Sequence, residues 1–188
     1  MSAFLLSIFA VALAEIGDKT QLLALMLAVR FRRPRPIIAG MLCATLANHA
    51  LASALGAWAG YSLAGGVLRW AVGLSFLAMA GWMLIPDKVN AGESAATRLG
   101  PFLATLVSFF LAEMGDKTQL ATMALAADTG LPIAVALGST LGLMAANLPV
   151  VLAGNAVLGV VPLRVARVAA AALFGLIGIA TLLGGVGG

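Results

Sequence analysis

The sequence predicts an all-α integral membrane protein in which six transmembrane helices form two inverted three-helix repeats. Three observations lead to this fold class: the composition, six long apolar runs, and a hexapeptide that occurs twice. Of the 188 residues, 62% are hydrophobic and only 10% are charged, and the mean hydropathy is +1.09. This composition is typical of a chain that is surrounded by lipid. Little of the chain remains for a soluble domain.

Six runs are long enough to cross a bilayer, which takes about 20 predominantly apolar residues in a helix. They lie at about residues 2–29, 36–58, 64–85, 101–127, 131–155 and 163–185. Lipid offers no hydrogen-bond partner to a bare backbone, and the runs are too long and too continuously apolar for barrel strands. We therefore predict that each run is a helix.

Residues typical of loops separate the six runs. The separating segments are the basic stretch 30–36, the glycine-bearing turn 60–66, the polar linker 86–100, and the turns 128–132 and 159–164. A cleaved signal peptide is an alternative for the first run, but no Lys or Arg precedes it and it continues past Glu15 to Val29. We interpret it as a retained helix.

The basic residues indicate an orientation. With the N-terminus outside, the cytoplasmic side holds Arg30, Arg32, Arg33, Arg35, Lys88, Arg98, Arg164 and Arg167, and the outer side holds Arg69 alone. The positive-inside rule favours this arrangement, with both termini extracytoplasmic. It also explains the pI of about 10 without a nucleic-acid partner. We expect a multi-pass protein of the bacterial plasma (inner) membrane.

The hexapeptide Glu15-Ile16-Gly17-Asp18-Lys19-Thr20 recurs as Glu113-Met114-Gly115-Asp116-Lys117-Thr118. Each copy lies in the middle of an apolar run, so Glu15 and Glu113 are expected near the bilayer midplane. Carboxylates at this depth are costly, and they persist mainly where they line a cavity, bind an ion or relay protons. The doubled motif therefore predicts an ion site.

The repetition extends beyond the hexapeptide at a constant offset of 98 residues, through Gln21 and Gln119 and from Phe76 to Phe174. Asn48 and Asn147 fall one residue out of register. We predict one repeat over residues 1–90, a cytoplasmic linker over 91–97 and a second repeat over 98–188. Because each repeat has three spans, the second is inverted, as in many secondary transporters.

The predicted site is a cage of oxygen atoms. An i, i+3 spacing places Glu15 and Asp18 on one helix face, as it does their counterparts in the second copy. The candidate ligands are Glu15, Asp18, Thr20, Gln21, Glu113, Asp116, Thr118 and Gln119, and the supporting residues are Gly17, Lys19, Asn48, Gly115, Lys117 and Asn147. Carboxylate, amide and hydroxyl oxygens suit hard divalent cations such as Mn²⁺ or Ca²⁺.

The charges within the motifs suggest ion exchange. Four carboxylates and two lysines leave a charge of minus two, which one divalent ion would neutralise, and protons would replace that ion on the carboxylates. A purely structural alternative pairs each glutamate with the lysine four residues later, but buried ion pairs stabilise poorly. The motif glycines would either permit close helix packing or open the helix. His49 is a candidate proton relay or a packing residue.

The motif Glu-x-Gly-Asp-Lys-Thr, doubled within a six-span chain, resembles that of the Gdt-type cation/proton exchangers, relatives of transmembrane protein 165 and of bacterial manganese exporters (uncharacterised protein family 0016). The resemblance covers essentially the whole chain. It implies that Mn²⁺ or Ca²⁺ is moved against protons, with Glu15, Asp18, Glu113 and Asp116 as ligands. We expect export of Mn²⁺ from the cytoplasm, with no prosthetic group.

Other interpretations remain open from the residues alone. A Ca²⁺/H⁺ antiporter would have the same architecture, and a divalent cation channel would use the acids as a selectivity ring. A cationic amino-acid exporter would need an anion-binding group, which the motif lysines would supply. Motifs of hydrolases and metalloproteases do not occur in the sequence, so we expect no enzyme. The sequence does not distinguish a monomer from a homodimer.

Overall fold

A computed structural model describes residues 2–63, 65–85, 99–153 and 163–184. Within these ranges the chain forms helices and no strand. The helices are α1 (Ala3–Glu15), α2 (Lys19–Phe31), α3 (Pro34–Ser62), α4 (Gly65–Met83), α5 (Pro101–Glu113), α6 (Lys117–Thr129), α7 (Pro132–Ala153) and α8 (Leu163–Leu182). The predicted all-α class is confirmed. The predicted linker 91–97 lies outside the described residues.

The ends of the helices follow local sequence signals. Pro34, Pro101 and Pro132 each occupy the first position of a helix, where a missing N–H costs no hydrogen bond. Gly130 ends α6 in the left-handed conformation, with its N–H bonded to the carbonyl of Ala126. Arg32 ends α2 in the same way. These caps keep the turns between neighbouring helices short.

In the part of the chain that the structure describes, four helices are long and apolar enough to cross a membrane, namely Pro34–Ser62, Gly66–Met83, Pro132–Ala153 and Arg164–Leu182. They correspond to the second, third, fifth and sixth predicted runs. The first and fourth runs are each divided into two helices, α1 with α2 and α5 with α6. The prediction of one continuous helix over 2–29 and another over 101–127 was therefore wrong. The physical reason lies in the motif itself, as described below.

Glycines set the distance between packed helices. A Cβ added at Gly40 of α3 would lie 2.5 Å from the carbonyl oxygen of Phe102 on α5. A Cβ added at Gly138 of α7 would lie 2.5 Å from the carbonyl oxygen of Phe4 on α1. Small residues allow such close backbone approach inside membranes. The two glycines therefore hold α5 against α3 and α1 against α7.

The helices that carry the motifs pack against α3 and α7, with α5 and α6 on α3 and α1 and α2 on α7, whereas α4 and α8 pack against each other. Phe76 and Phe174 stack between α4 and α8, with ring centroids 5.9 Å apart. Large apolar side chains such as Leu51, Leu55 and Leu176 point outward, as expected of a surface that faces lipid. The bundle thus surrounds the two motifs with apolar helices.

Candidate metal centre

Each motif interrupts its helix at the glycine. Gly17 has φ of +79° and Gly115 has φ of +71°, a conformation that side-chain-bearing residues rarely adopt. The N–H of Gly17 donates to Oε1 of Gln21 at 2.8 Å, and the N–H of Gly115 donates to Oε1 of Gln119 at 2.6 Å. The glutamines thereby satisfy backbone groups that the break exposes. Of the two roles considered for the glycines, the structure shows the opening of the helix.

The aspartates begin the helices that follow the breaks. Asp18 is the N-cap of α2, and its carboxylate accepts a hydrogen bond from the N–H of Thr20 at 3.4 Å. Asp116 is the N-cap of α6 with nearly the same backbone angles. Asp18 and Gln21 therefore do not continue the helical face that carries Glu15. The prediction of one continuous i, i+3 stripe was wrong, because the backbone turns at the glycine between them.

The two motifs meet in the centre of the bundle. Glu15 and Glu113 are completely buried, and Asp18 and Asp116 are 3% and 4% exposed. One carboxylate oxygen from each of Glu15, Glu113 and Asp116 lies within 4.8 Å of the other two. Three carboxylates at this separation repel one another unless a cation or protons lie among them. The cluster thus has the spacing and chemistry of a cation site.

The lysines form ion pairs that cross between the motifs. Nζ of Lys117 lies 3.1 Å from Oδ1 of Asp18, and Nζ of Lys19 lies 3.5 Å from Oδ1 of Asp116. The structural alternative that paired each lysine with the glutamate of its own motif is not the arrangement found. The break places each lysine at the start of a new helix, where it faces the other motif. These pairs tie α2 and α6 to opposite halves of the chain.

The motif threonines bind one oxygen of each glutamate. The hydroxyl of Thr20 donates to Oε2 of Glu15 at 2.5 Å, and that of Thr118 donates to Oε2 of Glu113 at 3.1 Å. Oε1 of each glutamate is buried and accepts no hydrogen bond from the described residues. Buried carboxylate oxygens usually have partners. An ion between the glutamates would supply the partner that these two atoms lack.

The two asparagines flank the site but make different contacts. Asn147 donates to Oε2 of Glu15 at 3.4 Å and to the carbonyl of Leu143 at 3.2 Å. Asn48 donates to the carbonyl of Phe110 at 3.0 Å. Each Oδ1 is buried without a hydrogen-bond partner among the described residues. Asn147 is thus in contact with the carboxylate cluster, whereas Asn48 holds the helix that leads to it.

The structure contains buried hydroxyl contacts that the sequence analysis did not identify, one of them at His49. Nδ1 of His49 is 3.3 Å from Oγ1 of Thr140, which donates to the carbonyl of Ala136. Thr122 and Ser139 are hydrogen-bonded to each other at 2.8 Å and are completely buried. Their signal in the sequence was weak, because single Ser and Thr residues in apolar helices often bond their own backbone.

A carboxylate cluster at two matching helix breaks, enclosed by apolar helices, defines the class of membrane ion transporters. Comparison with known proteins specifies the family. The chain belongs to the GDT1 family of divalent cation/proton antiporters, whose model matches residues 3–91 and 101–188. The resemblance drawn from the motif is thereby confirmed.

Relatives of the chain include proteins of bacteria and plants. A Vibrio cholerae protein named "Putative manganese exporter" is 52% identical over 182 residues, which cover 96% of this chain and 90% of the relative. GDT1-like protein 5 of Arabidopsis thaliana is 29% identical over 224 residues, which cover 97% of this chain and 96% of the relative. No solved structure shows a significant match.

Proposed function

We propose that this protein exports Mn²⁺ from the cytoplasm in exchange for protons, at a single site that the two motifs share. The observation that carries the proposal is the buried cluster of Glu15, Glu113 and Asp116, with oxygen atoms within 4.8 Å of one another. Lys19 offsets the charge of Asp116, so the two buried glutamates are the groups that need a cation or bound protons. A site that must hold one or the other couples their movement.

The ligands that we propose are the carboxylates of both motifs, together with Thr20 and Thr118. The contacts favour Oε1 of Glu15 and Oε1 of Glu113 as the first oxygens to receive the ion, because these atoms have no other partner among the described residues. The amide oxygens of Gln21 and Gln119 already accept from the motif glycines. Each retains a second lone pair, so the glutamines remain candidates as additional ligands.

We further propose that the chain spans the membrane six times as two inverted repeats, with α1 and α2 together forming one span and α5 and α6 another. Matching contacts support this arrangement. Gly40 meets Phe102 as Gly138 meets Phe4, and the offset of 98 residues relates Gly40 to Gly138 and Phe4 to Phe102. Likewise α3 packs against α5 and α6, and α7 packs against α1 and α2. The basic residues at the end of α2 favour extracytoplasmic termini.

The choice of Mn²⁺ over Ca²⁺ relies on the name of the Vibrio cholerae relative. Both ions accept oxygen ligands and differ in size and preferred ligand number. The membrane potential, inside negative, opposes the exit of a divalent cation. Export therefore requires inward proton movement to drive it.

Reconstitution into lipid vesicles tests the proposal. Mn²⁺, Ca²⁺ and lumenal pH are recorded together while a pH gradient is imposed. We expect Mn²⁺ to move against the protons, and the flux to saturate with Mn²⁺ concentration. A flux that dissipates the Mn²⁺ gradient without proton movement would instead indicate a channel. A larger Ca²⁺ flux would reassign the substrate while leaving the exchange mechanism in place.

A further inference from the structure

The two halves of the site are packed differently. The side chain of Lys19 on α2 is 34% exposed, whereas that of Lys117 on α6 is 4% exposed. The two lysines occupy the same position of the motif and make equivalent crossed ion pairs. The difference therefore comes from what surrounds α2 and α6, and not from the motif.

Helix α6 is enclosed on several sides. Gly56 and Gly60 of α3 face the backbone of α6, and a Cβ at Gly60 would lie 2.6 Å from the carbonyl oxygen of Ala127. Helix α4 also packs against α6. The described part of α8 makes no comparable contact with α2, although α8 is the counterpart of α4. Helix α2 consequently exposes Met26 and Val29, whereas Ala124, which the offset of 98 aligns with Met26, is buried on α6.

A hydrogen bond adds to the enclosure of α6. The hydroxyl of Thr122 lies 2.8 Å from Oγ of Ser139 on α7, and both residues are completely buried. The same hydroxyl donates to the backbone carbonyl of Thr118. The side-chain hydroxyl of Thr118 in turn donates to Oε2 of Glu113. The offset of 98 aligns Thr122 with Ala24 and Ser139 with Met41, which cannot form this bond. The link is specific to the second half.

We propose that Thr122 and Ser139 hold α6 against α7 and so keep the second-motif side of the site closed, while ions reach the carboxylates along α2, past Lys19. This inference rests on the proposed function. An ammonium that is one-third exposed at membrane depth requires water rather than lipid beside it. Since the end of α2 carries Arg30 and Arg32, the open side is the cytoplasmic one. Thr122 and Ser139 are positioning residues, because they act through α6 and not on the ion.

Thiol labelling tests the open side without any measurement of transport. The single native cysteine is removed by Cys43→Ser, and Lys19→Cys and Lys117→Cys are then introduced separately. We expect a membrane-impermeant thiol reagent to modify Lys19→Cys from the cytoplasmic side in inside-out vesicles, and to modify Lys117→Cys at least tenfold more slowly. Equal rates, or no labelling of Lys19→Cys from either side, would overturn the proposal.

A matched pair of variants tests the hydrogen bond in the Lys117→Cys background. Thr122→Val removes the hydroxyl and keeps the shape, whereas Thr122→Ser keeps the hydroxyl. A hydrogen bond contributes about 1 kcal/mol net, so its loss should shift the equilibrium between the closed and open positions of α6 by about fivefold. We therefore expect Thr122→Val to be labelled about fivefold faster than the Lys117→Cys parent, and Thr122→Ser to be labelled at the rate of that parent. Equal rates for Val and Ser would refute the role of the bond.

Transport separates a positioning role from a merely structural one. In the chain with native lysines, Thr122→Val should change the maximal Mn²⁺ flux, while the affinity for Mn²⁺ measured at equilibrium changes less than the flux. Thr105→Val is the control, since Thr105 is buried but bonds only the carbonyl of Pro101 in its own helix. If Thr105→Val alters the flux equally, the role assigned to Thr122 fails. If the parent moves no Mn²⁺ but the labelling pattern holds, only the proposed function fails.

Discussion

The helix break at Gly115 offers a direct test of how the fold builds the site. Gly115 has φ of +71°, and a Cβ added there meets no atom within 4 Å. The cost of Gly115→Ala is therefore entirely a backbone cost, roughly 1–2 kcal/mol for an L-residue in the left-handed region. If the variant relieves this strain by closing the break, the ion-binding form is disfavoured by the same free energy. We expect the Kd for Mn²⁺ to rise about 5-fold to 30-fold.

Two other glycines provide matched controls. Gly130 has φ of +65° and also has no atom within 4 Å of an added Cβ, but it lies at the far end of α6. Gly130→Ala should lower the free energy of unfolding about as much as Gly115→Ala and leave Mn²⁺ affinity unchanged. Gly81 lies within α4, where an added Cβ meets no atom within 4 Å. Gly81→Ala should therefore lower neither the free energy of unfolding nor the affinity for Mn²⁺.

The assay is equilibrium Mn²⁺ binding to purified protein in detergent, with thermal unfolding of the same samples. The reasoning would be refuted if Gly115→Ala bound Mn²⁺ as tightly as the parent. It would also be refuted if Gly130→Ala weakened binding equally, because the effect would then arise from global instability and not from the geometry of the break.

Three further predictions concern the charges of the site. Glu15→Gln or Glu113→Gln should abolish Mn²⁺ flux in vesicles, because each removes a buried carboxylate from the site. Cys43→Ser should leave the flux intact, since Cys43 is exposed and is not among the proposed ligands. Equal fluxes for the glutamine variants and the parent would contradict the ligand assignment. Lys117→Gln should reduce thermal stability more than Lys19→Gln, because breaking a fully buried ion pair costs about 3–5 kcal/mol and breaking a pair whose lysine is one-third exposed costs less. The opposite order of unfolding temperatures would disprove this. Mn²⁺ affinity should fall as pH falls, because protons occupy the same carboxylates, and a pH-independent Kd would exclude shared occupancy.

Much of the architecture follows from hydropathy and repetition along the chain. The four long apolar helices coincide with predicted runs, since a helix in lipid must be apolar over most of its length. The duplicated motif also indicated that Glu15 and Glu113 belong to one site, and the structure buries both completely. Such features depend on composition and period, which can be read without knowledge of neighbouring helices.

The path of the backbone through each motif could not be read in this way. Gly17 and Gly115 are compatible with close packing in a continuous helix and with a break, because glycine permits both conformations. The break is stabilised by Gln21 and Gln119, whose amide oxygens accept from the glycine N–H groups. The hydropathy of these runs is the same in either case.

The amino-acid sequence alone thus determined the all-helical membrane class, the positions of the four long apolar helices and the charged residues that are buried together. Only the tertiary structure decided which charge meets which, as in the pairing of Lys117 with Asp18 between the two motifs. The tertiary structure also decided that Thr122 of α6 and Ser139 of α7 form a hydrogen bond. The physical reason is that burial is a property of each segment, whereas a contact depends on the distance between helices far apart in the chain.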